Sequence, residues 1–342
     1  MASVSRCLTG WGHSRMPALR TLYAPVRNLV RGRPLLAVFQ VCLRCNSNCG
    51  YCNLPLNQGR YEMTRDEIRR VFAGLYREGV RVVFLQGGEP LLRRDLPEII
   101  EDLGGLGFFF ITLITNGTKF TRPLLTRMAR QRVTISVSLD TLDRERYRQI
   151  RGADQFDQVR EGIALLREYP HQKCLVCIVS ELNRAEVPAV VRFATEQGLL
   201  PVVGAYHWEV GLYGKKDPAL MYERQQAGMV FQQLLDEALI PAGSLKRFTE
   251  DNVRWLQGQN LEPCDAGRYS IAIDASGNVA PCLSLPYSGN LLTASLSDIL
   301  AGFDRDTIAT CSGRSSCNRL DSRIMGSIVR HPLTALRTPV TV

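Results

Sequence analysis

The sequence predicts an α/β fold built around a parallel sheet, with a small cysteine-rich α+β extension at its C-terminal end. Between about residues 35 and 206, short β-rich runs alternate with helical patterns, which is typical of a parallel sheet covered by helices. Beyond residue 206 the alternation weakens, and a helix predicted over about 221–238 leads into a region rich in Gly, Ser and Cys. The 342 residues, 45% of them hydrophobic, suffice for one large domain with an appendage or for two domains.

Six of the runs are predicted strands, and six strands can close partly or fully into a barrel. They are Leu35–Val41, Val82–Gln86, Phe109–Thr115, Val133–Leu139, Leu175–Ser180 and Pro201–Tyr206. The first helix between them begins at Thr64, where Glu67 completes a capping box, and ends before Gly79. Its apolar residues recur at helical spacing and are expected to face the sheet: Ile68, Val71, Phe72 and Leu75.

Positive charge is concentrated at the N-terminal end. Six arginines lie within residues 1–33, the first acidic residue is Glu62, and the formal net charge is +9. We interpret residues 1–33 as a poorly ordered, solvated basic arm. A transit peptide, or a segment that touches anionic phospholipid or nucleic acid, is the open alternative. No aromatic-interleaved basic patch accompanies the charge, so nucleic acid is not a predicted partner.

The longest apolar stretches are Leu35–Leu43 and Phe108–Ile114, well short of the roughly 18 residues that a membrane span needs. The N-terminal segment also lacks an apolar core of signal-peptide length followed by a small-residue cleavage site. A cytoplasmic location is therefore predicted. Contact with a membrane surface stays open because residues 29–39 are basic and partly apolar.

Eight of the eleven cysteines fall in two groups, within residues 42–52 and 264–317. In a chain without a secretion signal, this favours metal or redox chemistry over a disulfide framework. Cys45, Cys49 and Cys52 form C-x3-C-x2-C directly after the first predicted strand. Three thiolates at this spacing can hold one [4Fe-4S] cube and leave its fourth iron without a protein ligand. With Cys42 they could instead close a zinc site, although Cys42 falls at the end of the strand and is expected to be a small buried residue.

The cysteine segment resembles the cluster loop of the radical S-adenosylmethionine (SAM) superfamily, C-x3-C-x-aromatic-C, with Tyr51 as the aromatic residue. Three further motifs of that family follow in order at or just beyond predicted strand ends: Gly87-Gly88-Glu89-Pro90, Thr115-Asn116-Gly117 and Ser136-Val137-Ser138-Leu139-Asp140. The resemblance implies a partial (β/α)6 TIM-like barrel over residues 34–240. It also implies that Cys45, Cys49 and Cys52 hold a SAM-binding [4Fe-4S] cluster.

The same resemblance assigns residues to SAM. It implies that the methionine amino group is met by Gly87, Gly88, Glu89 and Pro90. It implies that the ribose is approached by Ser138 and Asp140, and the methionine carboxylate by Arg151. Tyr51 and Asn116 are the remaining cofactor-binding candidates. Taken singly, Gly87-Gly88 can also be a tight turn and Asp140 a helix cap.

The second cysteine group reads Cys264-x12-Gly277-x4-Cys282, followed by Cys311-x5-Cys317. Gly277 permits a hairpin turn that brings the first two cysteines together. Residues 241–342 resemble the SPASM/twitch extension of radical SAM enzymes, which implies an auxiliary [4Fe-4S] cluster held by Cys264, Cys282, Cys311 and Cys317. The ligand set is open, since Cys311 or Cys317 can be free, and a structural zinc ribbon is the alternative.

The resemblance implies an oxidoreductase or lyase type of enzyme. It would cleave SAM reductively to a 5'-deoxyadenosyl radical and abstract hydrogen from a small molecule such as a sugar, a nucleoside or a cofactor or natural-product precursor. A flavodoxin or ferredoxin would donate the electron. The alternatives are a SPASM maturase of ribosomal peptides and a non-catalytic iron-sulfur carrier or zinc module. Candidate catalytic residues at the last strand end are His207 and Glu209, with packing as the other interpretation of His207.

Overall fold

The computed structural model describes residues 19–208 and 215–337, so Glu209 lies outside the described residues. The strands are Leu36–Cys42 (β1), Val82–Gly87 (β2), Phe110–Thr115 (β3), Thr134–Ser138 (β4), Lys173–Val179 (β5), Leu200–Ala205 (β6), Ser270–Ile273 (β7), Asn278–Ala280 (β8) and Gly289–Asn290 (β9). They form one open sheet in the order β6-β5-β4-β3-β2-β1-β7-β8-β9. Strands β1 to β6 are parallel throughout, as predicted, and the sheet corresponds to a partial barrel.

Helices connect and cover these strands. They are Leu19–Arg31 (α1), Arg65–Arg77 (α2), Leu96–Leu106 (α3), Arg122–Arg130 (α4), Arg144–Arg151 (α5), Phe156–Leu166 (α6), Val187–Glu196 (α7), Arg224–Asp236 (α8), Ser244–Leu256 (α9), Leu296–Ala301 (α10), Arg305–Gly313 (α11), Leu320–Arg330 (α12) and Pro332–Ala335 (α13). Short 3-10 turns occupy Leu54–Asn57 and Pro90–Leu92. Within the described ranges, no helix combines the length and the apolar character that crossing a bilayer requires.

Helix α2 follows the local sequence closely. The Thr64 hydroxyl accepts a hydrogen bond from the Glu67 backbone, and the Glu67 side chain accepts one from the Thr64 backbone, which confirms the capping box. The four apolar residues predicted to face the sheet are all buried: Ile68, Val71, Phe72 and Leu75. The Phe72 ring packs against Phe39 of β1 with 5.2 Å between ring centroids. The start of this helix and its buried face are therefore specified by local features of the sequence, the capping box and the helical spacing of apolar residues.

Strand β1 lies at the centre of the sheet and positions the cluster loop that follows it. Every residue from Leu36 to Cys42 is buried, which is expected of a parallel strand flanked on both sides and covered on both faces. Leu36 pairs with Val82 of β2 on one side and with Ser270 of β7 on the other. The carboxyl ends of β1 to β6 meet at one edge, where parallel α/β proteins form their sites.

The C-terminal extension continues the same sheet. Strands β7 and β8 are antiparallel around Gly277, whose φ of +89° confirms the predicted hairpin turn. The boundary predicted between the core and the extension coincides with α9, while β7 pairs directly with β1 of the core. The division of the chain into two domains at residue 240 stays a prediction.

Helix α1 was not predicted, because residues 1–33 were interpreted as a solvated arm. Tertiary contacts explain its presence, since the buried Asn28 side chain donates to the carbonyls of Pro34 and Glu78, each at 2.8 Å. Arg27 donates to the same Glu78 carbonyl at 3.0 Å. These bonds anchor the helix to the C-terminal end of α2, which local sequence patterns do not reveal.

Candidate functional site

Most of the candidate residues of the first site line one open cavity of about 630 Å³, including solvent at its mouth. It opens at the carboxyl ends of β1 to β4. The predicted residues among its lining are Cys45, Cys49, Tyr51, Cys52, Gly87, Gly88, Asn116, Ser138 and Arg151. Glu89, Pro90 and Asp140 are buried and are not part of the lining.

The Gly87-Gly88-Glu89 segment holds one side of the cluster loop. The Gly88 amide donates to the Cys42 carbonyl at 2.9 Å, and the Glu89 amide donates to the Arg44 carbonyl at 2.8 Å. A Cβ atom on Gly88 would lie 2.1 Å from the Arg44 carbonyl oxygen, and one on Gly87 would lie 2.2 Å from the Cys42 oxygen. Only glycine allows two backbones to come this close, so both glycines have a structural role beside any contact with SAM.

The C-terminal end of α5 holds the other side of the loop. The Asn48 amide donates to the Arg151 carbonyl at 3.0 Å, and the Gly50 amide donates to the Ile150 carbonyl at 2.9 Å. Gly152 ends the helix with a φ of +61°, and a Cβ atom there would lie 2.3 Å from the Asn48 oxygen. The loop is thus fixed between β2 and α5 through its backbone.

Polar side chains inside the loop add contacts that the sequence analysis missed. The Asn116 side chain donates to Asn46 Oδ1 at 2.8 Å, and Asn46 donates to Thr118 Oγ1 at 2.9 Å. The Gln155 side chain donates to the Asn46 carbonyl at 3.1 Å and accepts from Ser47 Oγ at 3.2 Å. Asn46 and Ser47 stand between the cysteines, but their partners lie 70 or more positions away, so no local spacing predicts them.

Glu89 ties the ends of β2 and β3 together. One carboxylate oxygen accepts from Thr115 Oγ1 at 2.6 Å and from the Leu91 amide at 3.0 Å, and the other accepts from the Asn116 amide at 2.7 Å. Burial raises the pKa of the Glu89 carboxyl, and these hydrogen bonds act in the opposite direction. Since both oxygens already have protein partners, a direct contact with SAM stays a prediction.

Asp140 pairs with Arg151 beside the cavity. Arg151 Nη2 lies 2.7 Å from Asp140 Oδ2, which also accepts from the Tyr51 hydroxyl at 3.0 Å. The other Asp140 oxygen accepts from the Ile178 amide at 2.8 Å. Asp140 does not cap α5, because the cap is Asp143, so the alternative interpretation of Asp140 as a helix cap is wrong. Its predicted approach to the ribose is untested.

Arg151 keeps unused hydrogen-bonding capacity toward the cavity. Burial is the largest single effect on its guanidinium and lowers the pKa, but the negative groups around it, led by Asp140, together outweigh burial and hold the pKa above its usual range. Nε has no hydrogen-bond partner, and Nη2 is close to Asp140 without a well-aligned hydrogen bond. An unpaired, buried donor on a charged group suits a carboxylate ligand, so the lining fits the methionine end of SAM.

The thiols of the loop fit an iron-sulfur cube. Burial raises the pKa of the Cys45 thiol to about 11, and the nearby Cys49 and Cys52 add to the effect. A thiolate here therefore needs the positive charge of bound iron. Among the described residues, no group of His, Cys, Asp or Glu converges tightly enough for a single metal ion. Cys45, Cys49 and Cys52 line the same cavity, which suits three corners of an iron-sulfur cube.

Cys42 stands apart from the three loop cysteines. It is fully buried at the end of β1, and its thiol donates to the Glu89 carbonyl at 3.2 Å. Burial raises the pKa of this thiol to about 12. The prediction of a small buried residue is confirmed.

The second cysteine group lies around the β7–β8 hairpin and the start of α12. Burial raises the pKa of the Cys317 thiol to about 12, and the neighbouring thiols of Cys264 and Cys282 contribute to the rise. These three thiols therefore influence one another electrostatically. Cys311 lies on α11, a helix with no buried residue. Nearby buried polar atoms without partners include both amide atoms of Asn318 and Ser284 Oγ, which suits hydrogen bonding to cluster sulfides.

His207 connects the core to this second group. Its Nδ1 lies 2.7 Å from the Ala205 carbonyl, and its Nε2 accepts from the Asn318 amide at 3.1 Å. The ring stacks on Trp255 with 4.5 Å between centroids. Burial, together with the positive charges of Arg319 and Arg224, lowers the pKa of His207 to about 3. The His207 ring is neutral, both of its nitrogens have partners, and it packs on Trp255, which agrees with a structural role. The catalytic roles predicted for His207 and Glu209 stay predictions.

Two family models match the chain. The Radical SAM superfamily matches residues 39–194. SPASM, an iron-sulfur cluster-binding domain, matches residues 264–319. The matches cover both cysteine groups.

Curated relatives match about half of the chain. A GTP 3',8-cyclase of Rhizobium etli is 34% identical over 163 residues, covering 46% of this chain and 47% of that protein. A probable GTP 3',8-cyclase of Methanothermobacter thermautotrophicus is 33% identical over 173 residues, covering 49% and 56%. Molybdenum cofactor biosynthesis protein 1 of Drosophila melanogaster is 33% identical over 156 residues, covering 44% and 28%. The chain thus spans about half the length, or less, of the curated relatives it matches.

Solved structures share the fold at low sequence identity. Streptococcus suis SuiB bound to S-adenosylmethionine has a TM-score of 0.65 and 18% identity, covering 83% of this chain and 68% of that chain. The protein anSMEcpe with bound AdoMet has a TM-score of 0.64 and 17% identity, covering 85% of this chain and 87% of that chain. These likenesses confirm the predicted α/β fold.

Proposed function

Because the chain belongs to the radical SAM superfamily and carries a C-terminal SPASM region, we propose that it cleaves SAM reductively and abstracts hydrogen from a small-molecule substrate. Its cofactors are accordingly a [4Fe-4S] cluster, SAM and at least one auxiliary iron-sulfur cluster. The proposal depends above all on one observation. Three thiols and an unpaired Arg151 donor line the same cavity at the carboxyl ends of the strands.

The bound, reduced cluster would supply the one electron needed to cleave the sulfur-carbon bond of SAM into methionine and a 5'-deoxyadenosyl radical. Cys45, Cys49 and Cys52 would hold this cluster, and three thiolates would leave one iron available for SAM. Arg151 binds the methionine carboxylate through its unpaired Nε, and Asp140 keeps the guanidinium oriented. The backbone of Gly87 and Gly88 lines the same cavity, where its carbonyls can accept hydrogen bonds from the amino group.

A nucleotide or another phosphate-bearing small molecule is the substrate class we favour. Two of the curated relatives are named for a reaction on GTP, whereas SuiB, which has also been solved with a precursor peptide, resembles this chain in fold alone. The formal net charge of +9 also favours the approach of anionic substrates and of an acidic electron donor such as flavodoxin or ferredoxin.

Formation of 5'-deoxyadenosine tests the core of the proposal. The anaerobically reconstituted protein is incubated with dithionite and SAM, and the product is measured by liquid chromatography. We expect product from the wild type and none from Cys45→Ala. Cys174→Ser is the matched control, since Cys174 lies on β5 outside the cavity lining, and it should keep wild-type product. A wild-type protein that binds iron but makes no 5'-deoxyadenosine would instead be an electron carrier.

Arg151→Lys tests the carboxylate contact. Lysine keeps the positive charge beside Asp140 but removes Nε, so iron content should be unchanged. Loss of a hydrogen bond to a charged group costs about 1.5–3 kcal/mol, which corresponds to a Kd for SAM about ten- to a hundred-fold higher. Equilibrium dialysis with labelled SAM measures this shift, and an unchanged Kd would remove Arg151 from the binding site.

Substrate-dependent turnover separates the substrate classes. GTP, other nucleotides, sugars and candidate precursor peptides are each added to SAM and reductant, and the increase in 5'-deoxyadenosine is recorded. Deuterium transfer from a labelled substrate into 5'-deoxyadenosine identifies the carbon that loses hydrogen. We expect stimulation by a nucleotide, while stimulation by peptides alone would indicate a maturase.

A further inference from the structure

Helix α1 has an apolar side that faces solvent. Three large apolar side chains on this side have exposed fractions of 54% or more: Tyr23, Val26 and Val30. Their spacing of three and four residues places them together along one side of the helix. The opposite side packs on the protein, since Asn28 is fully buried and a Cβ atom on Gly79 would lie 2.8 Å from the Ala24 carbonyl oxygen. We call Tyr23, Val26 and Val30 the apolar face of α1.

Large apolar side chains are exposed more often here than elsewhere in the part of the chain that the structure describes. Twelve are exposed in all, and four of them belong to α1, with Leu29 as the fourth. Two more, Phe109 and Phe110, stand at the start of β3. The Phe109 amide donates to the Arg81 carbonyl at 2.8 Å, and α1 is anchored at the Glu78 carbonyl, so both groups border the short connection between α2 and β2. A concentration of exposed apolar residues marks an interaction surface, whereas single ones need no explanation.

Positive charge borders the apolar face of α1. The first acidic residue of the chain is Glu62, so the helix carries arginines and no carboxylate. Arg31, in its last turn, and Arg268, just before β7, are exposed. The Arg268 side chain lies beside the end of α1, because a Cβ atom on Gly32 would lie 3.1 Å from its Cγ. Neither guanidinium forms an ion pair with any residue that the structure describes, so both are available to an anionic partner.

Helix α1 lies near the amino-terminal end of the sheet. Its Asn28 side chain bonds to the carbonyl of Pro34, two residues before β1 begins. The exposed Phe110 likewise begins β3. The cavity that Cys45 lines opens instead at the carboxyl ends of the strands. A partner bound to α1 would therefore leave this cavity open to soluble molecules.

We propose that the apolar face of α1, with Arg31 and Arg268 at its border, docks on the surface of an anionic phospholipid bilayer. A helix of this kind lies in the plane of the interface, inserts its apolar side among the acyl chains and places its arginines at the headgroup phosphates. The Tyr23 ring suits the depth of the headgroups. A second copy of the chain is a poorer partner, because a two-fold interface brings the same surface together twice and two acid-free helices repel each other.

Sedimentation with vesicles tests the proposal on the full chain. Binding is measured to vesicles of phosphatidylcholine alone and to vesicles that also contain phosphatidylserine. We expect binding to the anionic vesicles only, and a decrease as salt is added, because salt screens the headgroup charge. Val26→Ser with Val30→Ser should weaken binding about ten-fold or more, since two inserted apolar side chains are lost. Arg31→Gln with Arg268→Gln should weaken it about ten- to thirty-fold.

Matched variants change similar residue types on other elements. Met229→Ser with Leu333→Ser removes two exposed apolar side chains, from α8 and α13. Lys216→Gln with Lys246→Gln removes two exposed cations. Both pairs should bind anionic vesicles as the wild type does. A tryptophan reporter then locates the contact: brominated lipids should quench the fluorescence added by Tyr23→Trp and leave that added by Met229→Trp unchanged.

Three results would overturn the proposal. The first is a wild-type protein that stays in solution with anionic vesicles. The second is a pair of α1 variants that bind these vesicles as tightly as the wild type. The third is a wild-type dimer in gel filtration that Val26→Ser with Val30→Ser dissociates, since the face would then belong to a second copy. None of these measurements needs iron or SAM, so formation of 5'-deoxyadenosine tests the proposed function separately.

Discussion

Replacing Gly88 by alanine tests whether the Gly-Gly-Glu segment holds the cluster loop in place. The added Cβ atom would lie 2.1 Å from the Arg44 carbonyl oxygen and 2.8 Å from the Leu43 oxygen. Both obstacles are backbone atoms, so no side chain can rotate away. Because Gly88 does not have a positive φ, the substitution adds steric conflict without backbone strain.

The magnitude follows from the contacts that must open. Since Cβ atoms do not approach other atoms more closely than 3.0 Å, the loop and the segment must separate by about 0.9 Å. The hydrogen bonds from Gly88 to Cys42 and from Glu89 to Arg44, now 2.9 and 2.8 Å, would then lengthen or break. Each contributes about 1 kcal/mol, and overpacking costs about 1–3 kcal/mol more. We expect a loss of about 2–5 kcal/mol of stability, concentrated at the cluster loop.

Iron content and thermal unfolding without SAM provide the assay. Wild type with two clusters should bind about eight irons, and Gly88→Ala about four, because the auxiliary cluster is unaffected. Its thermal midpoint should fall. Gly74→Ala is the matched control, since an added Cβ on this residue of α2 would meet nothing within 4 Å and alanine favours helix. If Gly88→Ala keeps its iron and its midpoint and only binds SAM less tightly, the steric reasoning is refuted.

Two other perturbations probe buried charge. Asp140→Asn leaves the Arg151 guanidinium buried without its counterion and should cost about 3–5 kcal/mol in chemical unfolding, whereas Asp102→Asn, at a surface ion pair, should cost far less. A cost for Asp140→Asn as small as that of the control would contradict the buried pair. The folded protein favours the neutral form of His207, because the folded pKa of about 3 lies below the unfolded value. The contribution of His207 to the free energy of unfolding is therefore fully present above about pH 6.5 and is lost as the pH falls. As the pH falls from 7.5 to 5.5, the free energy of unfolding of the wild type should decrease by about 1 kcal/mol more than that of His207→Gln. If the two proteins lose stability in parallel over this range, the His207 ring ionises freely in the folded state and the reasoning is wrong.

Local patterns predicted the elements of the core with small errors. The six parallel strands begin and end within about two residues of the predicted positions, and α2 has the predicted cap and buried face. These features depend on period, capping and turn chemistry, which are encoded in neighbouring residues. The three loop cysteines and the motifs after β2, β3 and β4 could be placed at one edge for the same reason, since parallel strands end together.

Contacts between distant residues were not predictable. The sequence analysis assigned Glu89 and Asp140 to SAM, but it had no means of finding that their carboxylates are occupied by Thr115 and Arg151. It also missed α1, whose stability depends on Asn28 contacting a carbonyl 50 positions away. Such contacts depend on how elements pack, which no local period specifies.

By itself, the sequence determined the parallel α/β core, the three-cysteine loop and the hairpin of the extension, because each depends on residues close together in the chain. Only the tertiary structure decided that β7 pairs with β1 and that the cluster loop is fixed between β2 and α5. The physical reason is that burial, charge pairing and close backbone contact arise from three-dimensional proximity, and proximity between residues far apart in sequence is set by the packing of the whole chain.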